Sequence, residues 1–193
     1  MALPQKQNTR YTYADLLSWD DSVRYELYEG VPVALASPSW EHQRISIALA
    51  SQFFDLSRDR GCETLTAPLD VRLFEGKDDA PGDVDIVVQP DLMIVCDKSK
   101  LDQRGVHGAP DLVVEILSDS TRRNDQLVKF RMYQKAGVRE YWVADPMTRV
   151  LLVHTLEDGQ YNSPHAYGPA AAVPLTIAED AAVDLSLVFP AET

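Results

Sequence analysis

The sequence predicts an α/β fold with a mixed, partly antiparallel sheet flanked by helices. Three observations predict it. Ile45, Leu49, Phe53 and Leu56 recur at helical spacing between Ser37-Pro38-Ser39 and Gly61. Two short apolar runs, Leu92-Met93-Ile94-Val95 and Leu112-Val113-Val114-Glu115-Ile116-Leu117, have strand length. A second helical pattern then runs to Ala136, and more strand signals follow it.

The elements follow in order. Residues 10–19 form a short amphipathic helix with Thr12 as its cap and Tyr13, Leu16 and Leu17 as its apolar stripe. Tyr25–Tyr28 and Val31–Leu35 flank Glu29-Gly30, the signature of a hairpin. The helix opened by Ser37-Pro38-Ser39 runs to about Arg60, and Gly61 ends it. Strands are expected at Glu63–Leu65 and Leu69–Phe74. Residues 75–82 form a loop, and Asp83–Val88 extends toward Pro90 as a strand. After the Asp91–Cys96 strand, a polar connection containing Gly105 and Gly108 leads to Leu112–Leu117. Ser120 or Thr121 caps the next helix and Gly137 stops it. Glu140–Ala144 and Val150–Thr155 pair across Asp145-Pro146, and a last strand lies near Val183–Val188 in a loop-rich tail.

The chain has 193 residues, enough for one domain with a full core, residues 1–193 with its ordered part at about 11–190. No apolar run of membrane-spanning length occurs. MALPQKQNTRYTY carries no apolar signal-peptide core, so a cytoplasmic protein is expected. Cys62 and Cys96 lack zinc-type neighbours and are expected to be two reduced, buried thiols. The net charge of −12 argues against a generic nucleic-acid coat. Between Arg122 and Arg139, however, stand six basic residues and one acid, Asp125, a local +5. Such a patch either steers a polyanion or is simply a solvated helix face.

The chemistry concentrates in residues 90–135. Asp91 and Glu115 stand in apolar runs, where a carboxylate is costly unless a cation, a proton or hydrogen bonds compensate it. Asp111 and Glu115 share a strand face but lie about 13 Å apart, at roughly 3.3 Å per residue, too far for one ion. Asp111 is therefore read as a strand-start acid. Asp91 lies on a separate strand, and the two acids can converge if the strands pair in register. On the following helix Asp125, Lys129, Tyr133 and Ala136 fall on one side, which puts Lys129 in the buried stripe. A lysine there requires carboxylates or a phosphate. Two acids and a lysine, without histidine or cysteine, favour Mg²⁺ or Mn²⁺ over zinc, with waters and phosphate oxygens as the remaining ligands. His42 lies at a helix start near these elements; His107, His154 and His165 show no ligand spacing. No Gly-rich phosphate loop occurs, and Ser118-Asp119-Ser120 has no histidine partner.

Pro90-Asp91 followed by Glu115-Ile116-Leu117 resembles the PD-(D/E)xK nuclease motif, with Leu117 where the lysine usually stands. Tyr25-Glu26-Leu27-Tyr28-Glu29-Gly30, the run Gly108–Ser118, Asp125-Gln126-Leu127-Val128-Lys129 and Gly137-Val138-Arg139-Glu140-Tyr141-Trp142 resemble the Uma-type family of restriction-endonuclease-like proteins. The resemblance covers about Tyr11 to Pro190. It implies a restriction-endonuclease-like core, Asp91 and Glu115 as metal ligands, Lys129 as the displaced lysine and Glu26 as an extra catalytic acid. The expected function is a Mg²⁺-dependent endonuclease acting on nucleic acid, foremost DNA, as a homodimer. Arg122 and Arg123 are expected to touch its phosphates. The competing readings are a catalytically silent nuclease-fold binding or regulatory protein and a small-molecule hydrolase.

Overall fold

The computed structural model describes residues 10–20, 22–118 and 125–189. The N-terminal segment forms α1 (Tyr13–Leu16), where Asp15 accepts the Thr12 N–H at 2.8 Å. Tyr13 is buried, whereas Leu17 of the expected stripe is exposed because the helix ends before it. The hairpin β1 (Tyr25–Tyr28) and β2 (Val31–Ala34) turns at Glu29-Gly30, both at positive φ, the geometry a tight hairpin turn requires. Then α2 (Trp40–Arg58) starts at Ser39, whose hydroxyl accepts the His42 N–H, and buries Ile45, Leu49 and Phe53.

The remaining strands are β3 (Glu63–Thr66), β4 (Val71–Arg72), β5 (Leu92–Val95), β6 (Leu101–Asp102), β7 (Gly105–His107) and β8 (Leu112–Ile116). The helical segment after β8 begins as a π-helix over Asp125–Lys129 and continues as α3 (Phe130–Ala136), closed by Gly137 in the left-handed conformation. Next come β9 (Glu140–Asp145), β10 (Val150–Glu157), β11 (Gln160–Tyr161), β12 (His165–Tyr167), β13 (Ala172–Leu175), β14 (Ala178–Asp184) and α4 (Leu185–Val188).

Among the described residues the main sheet has seven strands. They run β11-β10-β9-β8-β5-β3, with β12 also on β10. The pairs β3–β5, β5–β8 and β9–β10 are antiparallel and β8–β9 is parallel, so the sheet is mixed as expected. Its two faces have separate cores. On one, Leu92, Ile94, Leu112, Val114 and Trp142 pack with α2 and the C-terminal segment. On the other, Met93, Val95, Val113, Leu117 and Tyr141 pack with Met132 and Tyr133 of α3.

Several expectations are corrected. Of Leu69–Phe74 only Val71-Arg72 is strand, and 83–88 contributes isolated bridges at Val87 and Val88 in place of a strand. The connection before β8 holds the small sheet β4-β7-β6, built where Gly105, at φ 118°, lies against the Asp70 backbone. The tail is a hairpin, β13–β14, and Leu185–Val188 is a helix capped by Asp184, although Val183, Leu185 and Leu187 alternate with polar residues at the strand period. Cys62 and Cys96 are joined in a disulfide, not free thiols. They stand one step beyond the Glu63–Val95 pair, where antiparallel strands bring residues face to face.

Candidate active site

The site is built where β5 and β8 run past each other. Leu92 pairs with Val114, so Asp91 and Glu115 occupy the next rung of that ladder. Asp91 has the parity of Met93 and Val95, and Glu115 that of Val113 and Leu117, all on the α3 face of the sheet. Both acids line one cleft of about 360 Å³, together with Ile116, Ser118 and Lys129. This pairing is the condition under which the two acids, on separate strands, could converge.

Each carboxylate is held. Asp91 Oδ2 accepts the Ile116 N–H at 2.7 Å and lies 3.1 Å from His42 Nε2. Its Oδ1 takes no hydrogen bond among the described residues. Glu115 is 3% exposed, and its Oε1 accepts from Lys129 Nζ at 2.9 Å and from the Tyr133 hydroxyl at 2.6 Å. Lys129 is equally buried and lies 2.9 Å from Glu26 Oε1 as well. Glu26 accepts in addition from the Gln89 N–H at 2.7 Å and from the Tyr28 hydroxyl at 2.5 Å. One lysine thus bridges two buried carboxylates, one from the N-terminal hairpin and one from the central sheet.

Electrostatics follow from that bridge. Burial alone would drag the Lys129 pKa down, but the Glu115 and Glu26 carboxylates outweigh it and hold the ammonium well above the ordinary lysine value. Burial raises the Tyr133 hydroxyl well above its ordinary value, and Glu115 raises it further. Tyr28 is raised the same way, by burial first, with Glu26 adding to it. Both phenols therefore stay protonated and donate to the carboxylates.

Glu26, Lys129 and Glu115 are therefore joined in one ion-pair cluster, and Asp91 lines the same cleft from the rung it shares with Glu115. Asp111 stays apart from it, with Oδ2 on the Cys96 N–H and Oδ1 on Arg139. Arg122 and Arg123 lie outside the described residues. The rest of the basic run is divided: Lys129 points inward, Arg139 pairs with Asp111, and Lys135 sits over the Phe74 ring. Reasoning from sequence undervalued His42 and passed over Arg24, Gln43 and Gln89, which also line the cleft. His42 had one legible sign, since it shares the inward face of α2 with Ile45 and Leu49. Arg24 and Gln89 are set by loops, whose course carries no periodic signal, whereas Gln43 stands on α2 next to His42.

Among the described residues no three His, Cys, Asp or Glu converge as a ready metal cage, and no helix is long and apolar enough to cross a membrane. The chain is 26% identical over 151 residues to the uncharacterized protein slr1290 of Synechocystis sp. (strain ATCC 27184 / PCC 6803 / Kazusa), a match covering 76% of this chain and 75% of that one. Its fold matches the crystal structure of "a putative nuclease belonging to DUF820" from Anabaena variabilis ATCC 29413. The TM-score is 0.73 at 18% identity, covering 93% of this chain and 97% of that one. The model of the Uma2 family, described as "Putative restriction endonuclease", matches residues 12–186, from the hydrogen-bonded entry to α1 through the β1–β2 hairpin, both acid-bearing strands and the lysine helix. The chain belongs to the Uma2 family.

Proposed function

We propose that this protein is a Mg²⁺-dependent endonuclease hydrolysing phosphodiester bonds in DNA, with Mn²⁺ able to replace Mg²⁺. The observation that carries the reading is the Asp91–Glu115 rung facing a cleft, with Lys129 against Glu115. The donor set fits a hard cation. Mg²⁺ takes one or two carboxylates and keeps water and substrate oxygens as its other ligands. Asp91 Oδ1, bonded to nothing among the described residues, and the carboxylate of Glu115 are of that kind. Bound there, the ion would supply a water of lowered pKa and neutralise charge on the phosphoryl group.

The chain's own residues do the positioning. The Ile116 N–H and His42 fix the Asp91 carboxylate, and the Tyr133 hydroxyl and Lys129 fix Glu115. Glu26 holds Lys129 from the other side and so keeps its charge at the metal-binding pair. Lys129 acts as an electrostatic support near the developing negative charge. Arg122 and Arg123 belong to the same reading as contacts to flanking phosphates, and a twofold homodimer would present two sites to the two strands of a duplex. A cytoplasmic setting belongs to it too. The Cys62–Cys96 bond speaks against that compartment, and titrating free thiols immediately after lysis decides the point.

The test is cleavage of plasmid and single-stranded DNA with Mg²⁺ or Mn²⁺, beside Glu115→Ala. The parent protein should nick or linearise DNA and the variant should not. Binding without cleavage by the parent under both metals would favour the silent binding reading, and neither binding nor cleavage would end the assignment.

A further inference from the structure

A cleft that is to hold a phosphodiester needs positive charge that is not already taken. Asp91 and Glu115 line this cleft, and among the described residues its lining lysine and arginine are Lys129 and Arg24. Lys129 is 3% exposed and donates to two carboxylates. Arg24 is different. It stands at the open end of the β1–β2 hairpin, where its carbonyl accepts the Leu35 N–H at 2.9 Å. Its side chain is half-buried and makes no ion pair among the described residues, although two acids share its cleft. Most arginines near carboxylates find one, since the guanidinium fork matches them. Two buried atoms in the same cleft also lack partners: His42 Nδ1 and Gln89 Oε1. Unsatisfied buried polar atoms mark a place where water or a ligand belongs.

We propose that Arg24 is the substrate's phosphate anchor, gripping the non-bridging oxygens of a DNA phosphodiester in the cleft. The proposal rests on the nuclease reading and adds to it the residue that holds substrate. The guanidinium offers two parallel donors to two phosphate oxygens, which a lysine ammonium cannot reproduce as a fork. It would also offset the negative charge of Asp91 and Glu115 toward an incoming anion, so that the acidic cleft admits one.

The test compares the parent, Arg24→Ala and Arg24→Lys on a fluorescein-labelled 20-base-pair duplex, by anisotropy with Ca²⁺ at several salt concentrations. Mn²⁺ affinity is measured alongside by electron paramagnetic resonance. Arg24→Ala should weaken binding and flatten the slope of log affinity against log salt by about 0.9, the value of one phosphate contact on duplex DNA. Its Mn²⁺ affinity and melting temperature should match the parent. Arg24→Lys should keep the slope and recover only part of the affinity. With Mg²⁺, KM should rise more than kcat falls. A parent that binds and cuts DNA while Arg24→Ala retains its slope and affinity would overturn the anchor alone. So would Arg24→Ala losing Mn²⁺ affinity and melting temperature together, a structural defect, if Arg24→Lys also restores nothing. A parent that neither binds nor cuts would overturn both the anchor and the nuclease reading.

Discussion

Replacing Lys129 with methionine isolates the bridge between Glu26 and Glu115. Methionine keeps most of the side chain's length and apolar contact and removes only the charge. Lys129 lies 2.9 Å from a carboxylate oxygen on each side, and all three groups are 3% exposed or less. Removing one partner of a buried ion pair costs about 3–5 kcal/mol, because it leaves charge uncompensated away from water. Here two carboxylates are left, so the upper part of that range is expected at pH 8. For a chain of this size about 2–4 °C is lost per kcal/mol, or about 8–20 °C for about 4–5 kcal/mol. Adding Glu26→Gln should recover part of the loss at pH 8, because it removes one of the two uncompensated charges. Urea unfolding followed by Trp142, fully buried beside Phe53, reads this directly. A Lys129→Met protein as stable as the parent at pH 8, or one whose deficit Glu26→Gln does not reduce, would refute the bridge.

Two further outcomes are expected. Burial holds the His154 imidazole below its ordinary value, so the folded state keeps it neutral while the unfolded chain binds a proton. Its contribution is complete above about pH 6.5 and is lost as pH falls through the lower folded value, so urea midpoints should drop on acidification and His154→Gln should flatten that drop. The Cys62–Cys96 bond closes a loop of 34 residues, so Cys62→Ser/Cys96→Ser should cost about 3–4 kcal/mol by loop-closure entropy, checked by the same unfolding curves with and without reductant.

How far the sequence spoke depended on whether a residue's environment was local. Glu115 was legible because Leu-Val-Val-Glu-Ile-Leu leaves no bland place for a charge, and Lys129 because a helical wheel puts it beside Tyr133. Gly30, Gly61 and Gly137 marked their turns because positive φ is a local demand. Glu26 was not legible from its own strand. The alternation in Tyr-Glu-Leu-Tyr would put it on the solvent side, and it is buried against Lys129, on the π-helical turn that precedes α3, and the Gln89 N–H. The disulfide depended on the β3–β5 register, which neither strand states alone. His42 reaches Asp91 from α2, an element of the opposite sheet face, and only the assembled layers bring them together.

The Glu26–Lys129–Glu115 bridge also sets when the cleft can come into being. Its members are scattered along the chain, and Glu26 leaves the ribosome about 100 residues before Lys129. At roughly 5–20 residues per second that interval is about 5–20 s. Until Lys129 emerges, the hairpin carries an acid it cannot bury and Glu115 has no cation. A nascent chain that ends before Lys129 therefore has no cleft of this kind, and whatever chemistry the cleft performs begins only once Lys129 has emerged.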